Sequence, residues 1–196
     1  SESGYTAGGP GHMDGCTWCL CNEKMKKYHD EEWGRLVTDD RLLFEFLTLE
    51  SAQAGLSWIT ILRKREGYRK AFYDFDANKV AQMTEQDVER LMQDEGIVRN
   101  RLKIKSAISN AKLFIAIQKE FGSFYNYTLS FFPERKPISY QPKTLKDIQA
   151  STPESDAMSK DMKKRGFKFF GSTICYAYLQ ATGFVNDHLV NCICRK

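Results

Sequence analysis

An apolar, helix-periodic run of Leu42, Leu43, Phe46 and Leu49 ends on a single terminal carboxylate, Glu50. Small residues and a glycine then break the pattern through Ser51-Ala52-Gln53-Ala54-Gly55-Leu56-Ser57, and a large aromatic, Trp58, opens the next helical run. A carboxylate among apolar residues is costly to bury unless it gains a partner. An aromatic plane beside it suits a flat, electron-poor ring, which stacks on one group and gives hydrogen bonds or positive charge to the other. Taken alone, the segment favours the ordinary arrangement, with Glu50 at the surface and Trp58 in the core. Other parts of the chain shift that balance.

Metal ligation is the second chemistry on offer. His188-x3-Cys192 sets two ligand types one helical turn apart. Cys16 and His29, with twelve residues between them, would complete a tetrahedral Cys2His2 set if the chain ends meet. Cys19, Cys21 and Cys194 stand close enough to replace one of these, and four unrelated residues with reduced thiols is the competing reading. Cys16-x2-Cys19 has no βαβ pattern around it to make a redox pair.

Nucleic acid is the third. The turn Gly96-Ile97-Val98, with Arg99, Arg101 and Lys103 beside it, joins two helical runs into a hairpin. A glycine turn at a helix N-terminus offers backbone N–H groups to a phosphate whatever the base sequence. An ordinary αα-turn with a solvated basic face fits the same pattern. Lys163-Lys164-Arg165-Gly166-Phe167-Lys168 is a second basic turn, or the usual basic end of a helix. Trp18, Tyr28, Trp33 and Trp58 lie near Glu50 or near the candidate ligands. Aromatics around one acid could enclose a base flipped from a duplex, although aromatics are more often core.

The elements that must position these groups are helices. The period predicts helices near 39–53, 57–73, 84–94, 100–120 and 123–132, and a short one capped by Asp76. Thr152-Pro153-Glu154 starts another, which stops near Gly166, and a last helix runs from Gly171 to Gly183. The segment from Gly15 to Gly34 reads as irregular, residues 133–151 as a loop, and strand patterns are nearly absent. The expectation is all-α. The 196 residues suffice for one domain or two small lobes around a real core. Residues 1–13, rich in Gly and Ser, read as an expression leader that takes His12 with it, leaving 14–196 as a single domain. A net charge of +4 permits nucleic acid without demanding it. Six cysteines grouped at the two ends, with no secretory segment, favour metal over disulfides and a cytoplasmic location.

Together these residues resemble the bacterial 3-methyladenine DNA glycosylase I family, within the helix-hairpin-helix glycosylase superfamily. The resemblance is carried by Tyr28-His29-Asp30-x2-Trp33-Gly34, Glu50-x2-Gln53-Ala54-Gly55-Leu56-Ser57-Trp58 and Gly96-Ile97-Val98-Arg99-Asn100-Arg101. Gly166-Phe167-Lys168-Phe169 and Asn186-Asp187-His188-x3-Cys192 extend it over nearly the whole chain after the leader. It implies a two-lobed helical fold with the hairpin at about 84–120, and one structural zinc joining the N- and C-terminal segments through Cys16, His29, His188 and Cys192. It also implies a base pocket of Glu50, Tyr28 and Trp58 with Trp18 and Trp33 close by. Residues 96–101 would hold phosphate, and Gly55 and Leu56 would approach the gap left by the extruded nucleotide. Met25 stands where some members carry a pocket tyrosine.

The implied activity is monofunctional release of 3-methyladenine from alkylated double-stranded DNA, in base-excision repair, by a protein for which a monomer suffices. Residues 101–119 contain no acid, although many relatives in the superfamily carry an Asp there. That suits a narrow use of already activated bases. Lys103 and Lys105 raise a Schiff-base alternative, but nothing in the sequence depresses either amine. Two further readings are a non-catalytic binder of alkylated DNA and a zinc-clasped helical adaptor.

Overall fold

The computed structural model describes residues 23–139 and 151–186. Residues 1–13, Cys16, Trp18, Cys19, Cys21, His188, Cys192 and Cys194 lie outside the described residues. Within them the chain forms α1 (Glu23–Glu31), α2 (Asp40–Ala52), α3 (Trp58–Arg63), α4 (Arg65–Ala71), α5 (Ala77–Ala81), α6 (Glu85–Leu91), α7 (Arg101–Phe121) and α8 (Phe124–Leu129). The strand β1 (Ile138–Ser139), α9 (Pro153–Arg165), α10 (Ser172–Ala181) and β2 (Val185–Asn186) follow, with β1 and β2 paired in parallel. The fold is mostly helical, and no helix of the described residues is long and apolar enough to cross a membrane.

Helix α2 is the centre. Its N-cap is Asp39, whose side chain accepts from the Arg41 amide, and every residue from Leu43 to Ala52 is buried. A helix buried all round must be packed from several sides, and α10, α7 and α8 surround it. Phe44 meets Phe75 and Phe114 at ring-centroid distances of 6.0 and 5.0 Å. Buried residues from Met25 to Val185 join one hydrophobic cluster.

Four details depart from the sequence expectation. The stretch before Gly34 is not wholly irregular, since residues 23–31 are helix α1. Its buried face is only Met25, Tyr28 and His29, too few apolar positions among charged ones to show a period. The run 57–73 is two helices broken at Lys64 (φ −97, ψ 2). It ends in a left-handed turn, with Tyr73, Asp74 and Phe75 at φ 53, 55 and 59. Such backbone costs roughly 1–2 kcal/mol per residue, offset chiefly by the burial of Phe75. Finally, the β1–β2 pair escapes prediction because it is only two residues long in each strand.

The predicted start and stop signals hold: Asp76 caps α5, Thr152 forms a capping box with Ser155 on α9, and Gly166 closes α9 at φ 106. Thr84 and Asp87 form another capping box on α6. The α6–α7 hairpin is seated against α4 by two glycines. A Cβ on Gly67 would lie 2.0 Å from the Gly96 carbonyl oxygen, so only glycine permits this contact.

Candidate active site

Helix α2 carries two buried acids, not the one emphasised by the sequence pattern, and their partners separate them. Glu45 accepts from Arg65 at 2.7 Å and from Arg69 at 2.8 Å. Arg65 also reaches Glu32 and lies over the Phe46 ring, 5.2 Å from its centroid. That acid belongs to a buried ion network. Glu50, in the last turn of the same helix, is fully buried, and neither carboxylate oxygen has a hydrogen-bond partner among the described residues. Burial alone pushes its carboxyl well above the usual carboxylate range. Such a group calls for a partner that brings donors or positive charge.

Its neighbours are the predicted aromatics. Tyr28, from α1, packs against Trp58 with ring centroids 5.7 Å apart and a 45° tilt, and against Phe46 at 6.4 Å. Burial first, and the charge of Glu50 second, raise the Tyr28 phenol, so the two groups share one electrostatic environment. Trp58 is held at the first position of α3, where Ser57 caps through the Thr60 amide. The Trp58 indole N–H is buried without a partner among the described residues. An orphan acid, an orphan indole donor and a tyrosine therefore meet at the junction of α1, α2 and α3.

The adjacent positions of α1 serve another purpose. His29 is buried and stacks on Trp33 at 5.7 Å and 19°, with its Nδ1 3.3 Å from the Asp30 carboxylate. Of the four expected zinc ligands, only His29 falls within the described residues, where no group of three or more His, Cys, Asp or Glu side chains could hold a metal. Trp33 thus packs on the candidate ligand.

The loop after α2 is framed at its base and bare at its tip. The Leu56 amide donates to the Gln53 carbonyl at 2.7 Å, and the Gln53 side chain donates back to the Leu56 carbonyl at 3.0 Å. Gly55 is exposed at φ +81, a conformation glycine adopts freely, with open space where a Cβ would lie. Leu56 is half-buried against the core.

In the hairpin, Ile97 is a core residue, so only its backbone is available to a ligand, and Val98 is partly buried. Gly96 N–H donates to the Asp94 side chain at 2.8 Å and Val98 N–H to the Tyr68 hydroxyl at 3.3 Å. Burial holds that phenol at about 12, so it remains a neutral acceptor. Arg101 turns to Glu89 and closes α6 onto α7, whereas Arg99 is exposed.

Lys103 carries a role that sequence reasoning missed. Its Nζ donates to the carbonyls of Ala52 and Ala54 at 2.9 and 2.7 Å, across from α7 to the end of α2. Burial lowers its ammonium pKa, contrary to the sequence expectation that nothing depresses it. The amine is nevertheless committed as a donor to two carbonyls, which is not the state of a nucleophile. The unpaired carbonyls at a helix end were the available signal, but a sequence does not tell which distant cation answers them.

Residues 18–196 match the family model described as methyladenine glycosylase. The chain is 50% identical over 182 residues to DNA-3-methyladenine glycosylase 1 of Escherichia coli (strain K12), covering 93% of this chain and 97% of that one. It superimposes on a crystal structure of 3-methyladenine DNA glycosylase I with a TM-score of 0.87 at 48% identity, over 92% of this chain and 99% of that chain. A Staphylococcus aureus structure concerned with 3-methyladenine recognition by the same enzyme gives a TM-score of 0.89 at 38% identity, over 94% and 98% of the two chains.

Proposed function

This chain belongs to the methyladenine glycosylase family, and from that premise we propose that it hydrolyses the N-glycosidic bond of 3-methyladenine in alkylated double-stranded DNA. The observation that carries the reading is Glu50, a fully buried carboxyl without a hydrogen-bond partner among the described residues, beside Tyr28 and Trp58. N3-methylation makes adenine a cation. The glycosidic bond is therefore already weak, and the base leaves without being protonated. Glu50 accepts hydrogen bonds from the base edge and balances its charge, while Trp58 and Tyr28 pack on the ring. Trp18, outside the described residues, and Trp33, which stacks on His29, are the further aromatics that the family resemblance assigns to the neighbourhood of the pocket. As the bond to the sugar breaks, its electron pair neutralises the base, and water adds to the sugar carbon and loses a proton to solvent.

The absence of any acid in residues 101–119 agrees with this division of labour, since a base already cationic needs least help from the sugar side. The half-buried Lys103 amine gives both short bonds to carbonyls, which supports a monofunctional enzyme. The α6–turn–α7 unit is read as the helix-hairpin-helix. In it Gly96, Ile97 and Val98 would meet phosphate through the backbone, with Arg99 and Arg101 nearby. Asp94 and Tyr68 would yield the Gly96 and Val98 amides to that phosphate. Gly55 and Leu56 form the loop that enters the gap in the duplex.

The surroundings of His29 fit a structural zinc. A buried imidazole, stacked by Trp33 and with its Nδ1 beside Asp30, is oriented as zinc-bound histidines usually are. Cys16, His188 and Cys192 would supply the other ligands. Bound there, zinc would cross-link the chain ends, and four protein ligands leave no position for a reacting water. A monomer suffices for this activity.

Chromatography of free bases after incubation with methylated duplex DNA tests the activity. Free 3-methyladenine, with 7-methylguanine retained, is the expected result. DNA binding without base release would instead identify a non-catalytic binder.

A further inference from the structure

We infer that Lys103 is a positioning residue that ties the loop entering the DNA gap to the hairpin gripping the phosphates, so that both engage the duplex in one fixed geometry. The inference rests on the function proposed above and adds a component to it. Helix α2 ends at Ala52, and its last carbonyls have no partner within the helix. The Gln53 amide takes those of Leu49 and Glu50 at 3.1 and 3.2 Å. Ala52 and, beyond the helix, Ala54 turn their carbonyls to one point, which the Lys103 ammonium occupies. A cation there also meets the negative end of the helix dipole.

The lysine starts from the other working part. Its backbone amide donates to the Asn100 side chain at 3.1 Å, within the cap that begins α7 directly after the turn 96–100. One side chain thus spans from the first turn of the phosphate-binding hairpin to the base of the inserting loop. Within the loop, Leu56 and Gln53 bond to each other through the Leu56 amide and the Gln53 side chain, whereas Lys103 reaches it from α7. An apolar residue at 103 would pack but hold neither carbonyl. A guanidinium has the donors but a planar fork, less suited to two converging acceptors than a rotatable ammonium.

The test compares Lys103→Met and Lys103→Arg with the parent protein in three assays. These are single-turnover release of 3-methyladenine from methylated duplex, affinity for undamaged duplex, and affinity for free 3-methyladenine. Lys103→Met should slow release on the order of tenfold to a hundredfold, the cost of a misplaced reacting group. Both affinities should stay unchanged, and Lys103→Arg should recover part of the rate. Should Lys103→Met not fold, Lys103→Gln, which keeps an amide donor, takes its place with the same expectation. Release at the parent rate overturns the inference, and so does a parallel loss of free-base affinity, which would make Lys103 a support of the pocket. A parent protein that releases no base overturns the proposed function itself.

Discussion

Two glutamates on one helix, both buried, show how little the residue type says without its partners. Glu45 sits between Arg65 and Arg69, and removing its charge leaves the buried Arg65 guanidinium with only the more exposed Glu32 as ionic partner. Glu45→Gln should therefore cost about 3 kcal/mol, read as a lower midpoint in urea. Glu50→Gln should do the opposite at neutral pH. The folded-state pKa of Glu50 is raised, so its contribution to stability is greatest below the ordinary carboxylate pKa and is lost as pH rises toward the folded value. Glutamine has no proton to lose. The variant's melting temperature should exceed the parent's at neutral pH, and the gap should close toward pH 4. Base release by the same variant should fall roughly tenfold to a hundredfold, the worth of one hydrogen bond to a charged group. Equal release would remove Glu50 from the site. The sequence marked Glu50, Tyr28 and Trp58 as a group, yet it offered no means of knowing that Glu45 is answered and Glu50 is not. That depends on Arg65 and Arg69 arriving from α4.

At the scale of elements, the legible features were those with local causes. Thr84, Thr152 and Gly166 cap or close the predicted helices because capping is settled within a few residues. Helix α1 was not legible, since its small buried face draws its meaning from α2 and α3. Nor was the seating of the hairpin, which depends on Gly67 and Gly96 meeting backbone to backbone. Gly67→Ala must force these elements apart. It should destabilise the protein by about 1–3 kcal/mol and weaken duplex binding more than free-base binding. Filter binding beside base titration would check this, and equal losses would mean that the hairpin and pocket do not separate.

Across the whole molecule, the end of the described chain returns to its beginning. Gly34 N–H donates to the Ala181 carbonyl and Val37 N–H to that of Thr182. A Cβ on Gly183 would lie 2.4 Å from the Leu36 amide nitrogen, so the two segments touch through backbone alone. The proposed zinc would add a metal cross-link to this backbone contact. His29→Ala should lower both metal content and melting temperature, the latter by several degrees or more, because metal binding free energy is folding free energy. Elemental analysis showing zinc retained would overturn the assignment of His29.

The buried Glu50 carboxyl has one further consequence. Burial favours its protonated form, whereas a bound cationic base would favour the carboxylate, so a site of this kind would act as an ion exchanger. Loading a methylated base should expel up to about one proton, visible in calorimetry as a heat that varies with the buffer's ionisation enthalpy. Cleavage then erases the charge on the base, and with it the attraction that drew the base in. The acid can recover its proton, and the reaction itself loosens the hold on its product.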